Sequence, residues 1–318
     1  MAVQMSLAAE TKQRFVKVGF VGLFMASACP MVSSPVALVA GFIFALWWGN
    51  PYQGLTARSS KTLLKLSVVG LGFGVNFIEV IEVGKSSLPL TLISISATLL
   101  LGALIGRALQ LPGNIRTLIS FGTAICGGSA IAAMAPVIKA ENEEVAVSLA
   151  TVFALNAVGL VLFPPLGHWV GLDQRQFGIW AALAIHDTSS VVGAAATFGA
   201  IALAVGTTVK LTRALWIVPC TLLAGMFHES KPRVSIPLFI VGFLVAAFVN
   251  SWLPEFKPLW GGLHGIAKQT LVMTLFLIGA SLTRQTLQRV GLKPLLMGAL
   301  LWVCVMGATL AIVLKGYV

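Results

Sequence analysis

The sequence predicts an all-α integral membrane protein of about eleven transmembrane helices, with inverted repeats and two broken helices, organised as one polytopic domain over residues 1–318. Three observations carry this expectation. Hydrophobic residues make up 58% of the chain and charged ones only 10%, against about 25% charged in an ordinary soluble protein. Mean hydropathy is +0.95, and apolar runs close to the ~20 residues that span a bilayer core follow one another along the whole chain. Two of these runs, 117–138 and 177–198, carry glycine or polar clusters at their middles, where lipid cannot satisfy a loosened backbone.

Taken in order, hydropathy windows place spans at 18–30, 34–49, 66–83, 88–106, 117–138, 145–166, 177–198, 204–227, 236–253, 266–283 and 294–314. The first follows Lys12, Arg14 and Lys17 and ends in Ala26-Ser27-Ala28, a pattern shared with signal peptides. A second apolar run begins within a few residues, which favours a retained helix. With the N-terminus inside, the loops on its side collect 14 Lys and Arg, among them Arg58, Lys61, Lys65, Arg107, Arg116, Arg175, Lys231, Arg233, Arg284 and Arg289, against 5 on the other side (Lys85, Lys139, Lys257, Lys268 and Lys315). This bias predicts a multi-pass protein of eleven crossings, with the N-terminus cytoplasmic and the C-terminus on the opposite side.

The same distribution accounts for the net charge of +11. A nucleic-acid surface needs basic residues gathered on one solvated face, whereas here they stand singly or in small groups between apolar runs, so no nucleic-acid partner is expected. Cys29, Cys126, Cys220 and Cys304 lie inside apolar stretches without C-x-x-C spacing, which indicates neither a disulfide framework nor a metal site.

Of 21 basic and 10 acidic side chains, all but Asp187, Lys210 and Arg213 fall in loops or within snorkelling reach of an interface. A charge inside a span costs at least about 2.5–3.5 kcal/mol on insertion scales and is a functional candidate by default. Lys210 and Arg213 lie near one end of their span, so snorkelling is the competing reading for them.

Two self-similarities run through the chain. Gly72-Phe73-Gly74-Val75-Asn76 with the later Gly84 parallels Gly279-Ala280-Ser281-Leu282-Thr283 with Gly291, both glycine pairs displaced by 207, and the eleven-span topology makes these segments antiparallel, as in inverted-repeat transporters. Ile125-Cys126-Gly127-Gly128-Ser129-Ala130 parallels Ile185-His186-Asp187-Thr188-Ser189-Ser190, displaced by 60. In the eleven-span topology these two run parallel, so either one segment is a re-entrant hairpin or the similarity is compositional.

The breaks are the chemical candidates. Adjacent Gly127 and Gly128 weaken a helix by about 1 kcal/mol each, and a half-helix starting near Gly128 would turn free N–H groups and its positive dipole end towards the membrane middle, a seat for an anion beside Ser129 and Cys126. Close packing through small residues competes with that reading but does not explain a central Cys-Gly-Gly-Ser. In the second break Asp187 followed by Thr188, Ser189 and Ser190 is an N-cap signature, and His186 beside an acid could carry a proton; the bland alternative is a hydrogen-bonded core pair. Lys210 and Arg213, at i and i+3, share a helix face and imply an anionic ligand. Asn76, Asn156 and Ser281 are lesser candidates, because single polar groups in membrane helices more often bond a neighbouring helix. Glycines 70, 72, 74, 102 and 106 read as packing positions. No hydrolase, nucleotide or zinc motif is present, and a membrane hydrolase built from Ser129 or Cys126 with His186 is the weakest of the readings.

The run from Gly122 to Ala133 with Ala135-Pro136-Val137-Ile138, then Phe177-Gly178 to Ile185-His186, then Val209-Lys210-Leu211-Thr212-Arg213, resembles the bacterial YeiH-type family, usually labelled sulfate exporters. The resemblance covers most of the chain and is densest from about 116 to 220. It implies an inner-membrane secondary transporter related in fold to bile-acid sodium symporters and cation–proton antiporters, with two broken helices crossing near the substrate, and it allows a homodimer. One departure stands out: that pattern often has Val-Ala-Gln after the histidine, where this chain has Asp187-Thr188-Ser189, and an acid there would alter coupling or substrate preference.

The leading expectation is therefore a secondary transporter of a small anion (sulfate, or an organic sulfonate or carboxylate) working by alternating access. Cys126, Gly127, Gly128, Ser129, Thr188, Ser189, Ser190, Lys210 and Arg213 would hold the substrate; His186 and Asp187 would handle a coupling H⁺ or Na⁺, with Asp187 either pairing with a base or binding the cation. No other cofactor is expected. A cation–proton antiporter centred on Asp187, and an anion channel or non-transporting membrane sensor, are the alternatives.

Overall fold

Every regular element among the described residues of the computed structural model (2–228, 238–281 and 291–316) is helical. The helices are α1 Ala2–Ala26, α2 Ser34–Trp48, α3 Gln53–Leu71, α4 Phe77–Ala108, α5 Gly113–Ala124, α6 Gly128–Met134, α7 Asn142–Val170, α8 Gln174–Ala184, α9 Thr188–Phe198, α10 Ala200–Leu215, α11 Ile217–His228, α12 Leu238–Trp252, α13 Lys257–Ala280 and α14 Leu292–Leu314. Among the described residues five stretches are long and apolar enough to cross a membrane: Phe77–Ala108, Glu143–Val170, Ala200–Met226, Pro254–Ala280 and Leu292–Leu314. Leu88, Leu92, Ile93, Leu100 and Leu104 of α4 are exposed, the uncovered apolar flank that a lipid-facing helix presents. The chain is an all-α integral membrane protein.

Several expected boundaries move. The span expected at 66–83 is divided by a short 3-10 turn at Gly72–Gly74, so Arg58, Lys61 and Lys65, expected in a loop, belong to α3. The turn sits where backbone comes close: a Cβ at Gly72 would meet the Phe243 carbonyl of α12. Lys268, also expected near a loop, lies inside α13. Lys231, Arg233, Arg284 and Arg289, and Leu282-Thr283 of the 207-residue repeat, lie outside the described residues.

The fold is made of two compact units. One comprises the chain to Phe77 with Leu238–Gln285, the other Ile78–Pro237 with Thr286–Val318. In the first, Phe20, Phe44 and Phe276 pack edge to face, with Phe20 5.6 Å from Phe44 and 5.3 Å from Phe276. Helices α2 and α13 touch through glycines, since a Cβ at Gly41 would meet the Phe276 carbonyl and one at Gly279 the Leu38 carbonyl. Helices α3 and α13 run antiparallel: Gly70 packs on Ala267, and Asn50, just before α3, donates to the Ala280 carbonyl at the far end of α13.

In the second unit each of the two broken segments folds back on itself. Phe198, the last residue of α9, stacks on Phe177 in the first turns of α8 with centroids 3.8 Å apart, and Gln174 Oε1 accepts the Ile201 N–H at 3.0 Å. The chain therefore climbs α8, turns at 185–187 and returns along α9 to where it began. At the other break, a Cβ on Gly122 of α5 would lie 2.9 Å from the Ile131 side chain of α6. Asn114 Nδ2 at the start of α5 donates to Glu144 Oε2 at the start of α7 at 2.8 Å, so α5–α6 also doubles back. Both segments expected as full spans, 117–138 and 177–198, are re-entrant hairpins.

One long helix, α7, separates the hairpins in sequence, and its two ends mark their two bases. The base of α5–α6 lies at Glu144; the base of α8–α9 lies at the other end, where the His168 and Phe198 rings stack at 4.1 Å. The hairpins thus enter from opposite sides, and the 60-residue similarity becomes an inverted repeat. Helices start at 113, 128 and 142 in the first copy and at 174, 188 and 200 in the second.

Candidate functional site

The first break forms where Ile125 leaves helical geometry at φ −118°, ψ −85° and Gly127 takes φ +69°, a left-handed conformation that glycine adopts without penalty. Gly127 N–H closes the turn on the Gly122 carbonyl at 2.8 Å. Cys126 Sγ and Ser129 Oγ lie 2.9 Å apart and share a hydrogen bond; Cys126 is buried and Ser129 exposed. In the second break Ile185 is extended and Asp187 caps α9, as its Asp-Thr-Ser-Ser sequence predicts. The two tips meet: a Cβ on Gly127 would lie 3.0 Å from Asp187 Cβ.

Asp187 is held by four donors. Its Oδ1 accepts from Ser189 Oγ at 2.5 Å and Ser190 N at 2.7 Å. Its Oδ2 accepts from Asn156 Nδ2 at 2.9 Å and Ser190 Oγ at 3.1 Å. Four donors match the roughly four lone-pair sites of an ionised carboxylate. The expected pairing of Asp187 with Lys210 or Arg213 is replaced by these bonds, and the positive end of α9, expected to receive a substrate anion, already receives the Asp187 carboxylate.

Asn156, weighed as a lesser candidate, is the keystone of this tip. Residing halfway along α7, it also accepts the backbone N–H of His186 at 3.1 Å and of Asp187 at 3.3 Å through Oδ1. Those two donors belong to a non-helical segment, where an unmade backbone bond would otherwise cost about 1–3 kcal/mol. The sequence held no signal for this role beyond an amide at mid-span.

Lys210 and Arg213 are both 0% exposed, which rules out snorkelling. Lys210 Nζ donates to the carbonyls of Ile185 at 2.7 Å and Ala182 at 3.3 Å. Arg213 Nε donates to the Ala124 carbonyl at 2.6 Å and Nη1 to that of Leu183 at 2.5 Å. These carbonyls end α5 and α8, so the two cations sit at the negative dipole ends of both first half-helices and satisfy groups that a helix terminus leaves free. Arg213 is bonded to both hairpins.

The His186 ring is buried beside Trp302, centroids 6.2 Å apart, and neither ring nitrogen has a hydrogen-bond partner among the described residues. Trp302 Nε1 donates to the Ala184 carbonyl at 3.0 Å, and its indole stacks near Phe163. Thr188 and Ser189 are half-buried and Ser190 buried at the tip. Asn76 and Ser281 belong to the other unit: Asn76 is exposed between α3 and α4, and Ser281 Oγ donates to the Leu277 carbonyl at 2.8 Å. Among the described residues no cluster of three or more His, Cys, Asp or Glu could hold a metal ion.

Comparison with known proteins places this architecture in a family. The chain is 54% identical to a UPF0324 membrane protein of Geobacter sulfurreducens over 92% of its length and 94% of that protein. It is 50% identical to one of Bdellovibrio bacteriovorus over 96% of its length and 97% of that protein. No solved structure matches. The family model described as "Conserved hypothetical protein 698" matches residues 16–298, and the chain belongs to that family, together with these UPF0324 membrane proteins.

Proposed function

We propose that this protein is a secondary active transporter of a small anion, sulfate or an organic sulfonate or carboxylate, working by alternating access across a bacterial inner membrane. The observation that supports this reading is the meeting of two oppositely entering hairpins at Gly127 and Asp187, beside the midpoint of α7. Inverted repeats with discontinuous helices at mid-membrane are the construction of many carriers, because each hairpin can open the same site to its own side.

The sign of the substrate follows from the charges at the tips. Two cations, Lys210 and Arg213, both fully buried, stand against one partly buried acid, Asp187, leaving a formal excess of one positive charge. An anion relieves that excess. The hairpin arrangement also preserves the orientation: two hairpins in place of two crossings leave the parity of the chain unchanged. Lys139 joins the side of Arg107 and Arg116 while Arg175 leaves it, so the sequence count of 14 basic residues against 5 is unchanged and supports a cytoplasmic N-terminus.

Radiolabelled sulfate, taurine and small carboxylates offered to proteoliposomes with and without a pH or Na⁺ gradient test this reading. Saturable uptake that is accelerated by pre-loaded unlabelled substrate is the expected result; conductance without exchange would indicate a channel. A second reading, cation–proton exchange at Asp187, draws on the partial exposure of that residue. Proton movement on adding Na⁺, lost in Asp187→Asn, with no anion flux, would favour it.

A further inference from the structure

The unit formed by the chain to Phe77 and by Leu238–Gln285 holds a cavity of about 240 Å³ between α1 and α3. Phe20, Val21 and Phe24 line it from α1, and Leu55, Ser59 and Leu63 from α3, each set occupying one face of its helix. Thr56 and the Leu277 side chain of α13, 2% and 5% exposed, close it inwards, whereas Val21 and Leu55 at its rim are 46% and 65% exposed. Val18, Val21 and Met25 form an exposed apolar stripe on α1, a surface that the bilayer covers. The cavity therefore opens sideways, beside a lipid-facing stripe.

Such a space suits neither water nor a polar solute. Its polar lining is limited to Tyr52, Thr56 and Ser59, and Thr56 Oγ1 is already bonded to Asn50 Oδ1 at 3.3 Å, while a buried water needs two to four polar partners. The volume lies below the about 300–1,000 Å³ of pockets that enclose compact small molecules; a single hydrocarbon chain matches both its size and its chemistry.

The two ends of the cavity differ in charge. At one end the Phe20 and Tyr52 rings meet, centroids 5.7 Å apart, and the nearby Trp47 and Trp48 are exposed, as aromatic residues are at a membrane interface. Lys17, half-buried, stands on the same α1 face one turn before Phe20 and Val21, and Arg14 stands one turn before Lys17. Helix α3 begins at this end without a side-chain cap, so the positive pole of its dipole adds to their field. The other end is bounded by Phe24 and Leu63. Residues 1–78 carry six Lys and Arg against one acid, Glu10, so the positive charge is not balanced within this stretch.

We infer that the cavity seats one acyl chain of an anionic phospholipid, which enters from the bilayer between Val21 and Leu55 and leaves its phosphate at the Tyr52 end, beside Lys17 and Arg14. An amphiphile with a negative head and an apolar tail reproduces the polarity of the site from end to end. The site lies in the unit without the hairpins and does not depend on the transporter reading.

The test is native mass spectrometry of the delipidated full-length protein titrated with phosphatidylglycerol or with phosphatidylcholine of the same acyl chains. The native protein is expected to hold one phosphatidylglycerol about tenfold more tightly than phosphatidylcholine, the effect of two basic residues on an anionic headgroup. Arg14→Gln with Lys17→Gln should bring that ratio close to one. Lys61→Gln with Lys65→Gln, on the side of α3 turned away from the cavity, should leave it unchanged. Ser59→Phe, which fills the cavity and removes no charge, should abolish tight binding of either lipid without lowering the melting temperature in detergent; Leu55→Trp at the exposed rim repeats the measurement without altering the core. Equal native affinity for the two lipids, or equal losses from the two double variants, would overturn the proposal by showing only surrounding lipid or diffuse attraction. Tight phosphatidylglycerol binding retained by folded Ser59→Phe and Leu55→Trp proteins would overturn the acyl-chain seat. A lipid-free dimer that Ser59→Phe dissociates would also overturn it, by assigning the cavity to a second copy of the chain.

Discussion

Asn156 grips Asp187 from two directions: its Nδ2 donates to the Asp187 carboxylate at 2.9 Å while its Oδ1 accepts the Asp187 backbone N–H at 3.3 Å. A side chain from a continuous helix thereby fixes both the charge and the main chain of a helix break. Arg213 does the corresponding work from the second repeat, reaching back to the Ala124 carbonyl at the end of α5. Each repeat's long helix thus holds the other repeat's hairpin, with an amide in one case and a guanidinium in the other.

Asn156→Ala should destabilise the protein by about 2 kcal/mol, since it strands the N–H groups of His186 and Asp187 and removes one donor from a carboxylate. Thermal unfolding in detergent checks this. Asn156→Asp should be worse, because it sets two carboxylates side by side and replaces the donor with an acceptor.

Lys210→Met and Arg213→Gln should each lower stability by at least about 2 kcal/mol, because charge-assisted bonds to helix-terminal carbonyls are lost. Arg213→Gln should be the more damaging, since Arg213 is bonded to both hairpins and Lys210 only to the second. Melting temperature and monodispersity of the purified variants measure this; equal, native-like melting would contradict the dipole-neutralising arrangement.

Gly127→Ala should abolish transport and cost about 1–2 kcal/mol, as it combines a strained φ of +69° with a Cβ driven onto the backbone and Cβ of Asp187. Gly128→Ala should be milder. Its new Cβ meets the tip of the Phe153 ring at 2.9 Å, and Phe153 is 38% exposed and free to turn aside. Uptake and melting of the two variants, measured side by side, separate backbone strain from crowding.

The location of both breaks was legible in the sequence because they use residues with local chemistry: adjacent glycines at 127–128, and the cap pattern Asp187-Thr188-Ser189-Ser190. Their reversal was not. Hydropathy measures the length of an apolar run, and a hairpin of two eleven-residue helices, as at α8 and α9, is as long and as apolar as one crossing. The clue lay in a contradiction: segments 60 residues apart resembled one another yet came out parallel when counted as full spans. Two hairpins flanking α7 remove it. Lys210 and Arg213 were legible as buried charges but their partners were not, since those partners are backbone carbonyls, which every residue carries. Asn156 gave too little signal for the same reason, as its bonds run largely to main-chain N–H groups.

The opposed hairpins are the centre of this account, and cysteine labelling tests them most directly. With the four native cysteines replaced, single cysteines at Arg107, Lys139, Arg175 and Ala200 would be labelled in intact cells by a membrane-impermeant maleimide, before and after permeabilisation. The structure predicts that Arg107→Cys and Lys139→Cys share one face of the membrane and that Arg175→Cys and Ala200→Cys share the opposite one. Labelling of Arg107→Cys and Lys139→Cys from opposite faces would mean that 117–138 crosses the bilayer, and would contradict it.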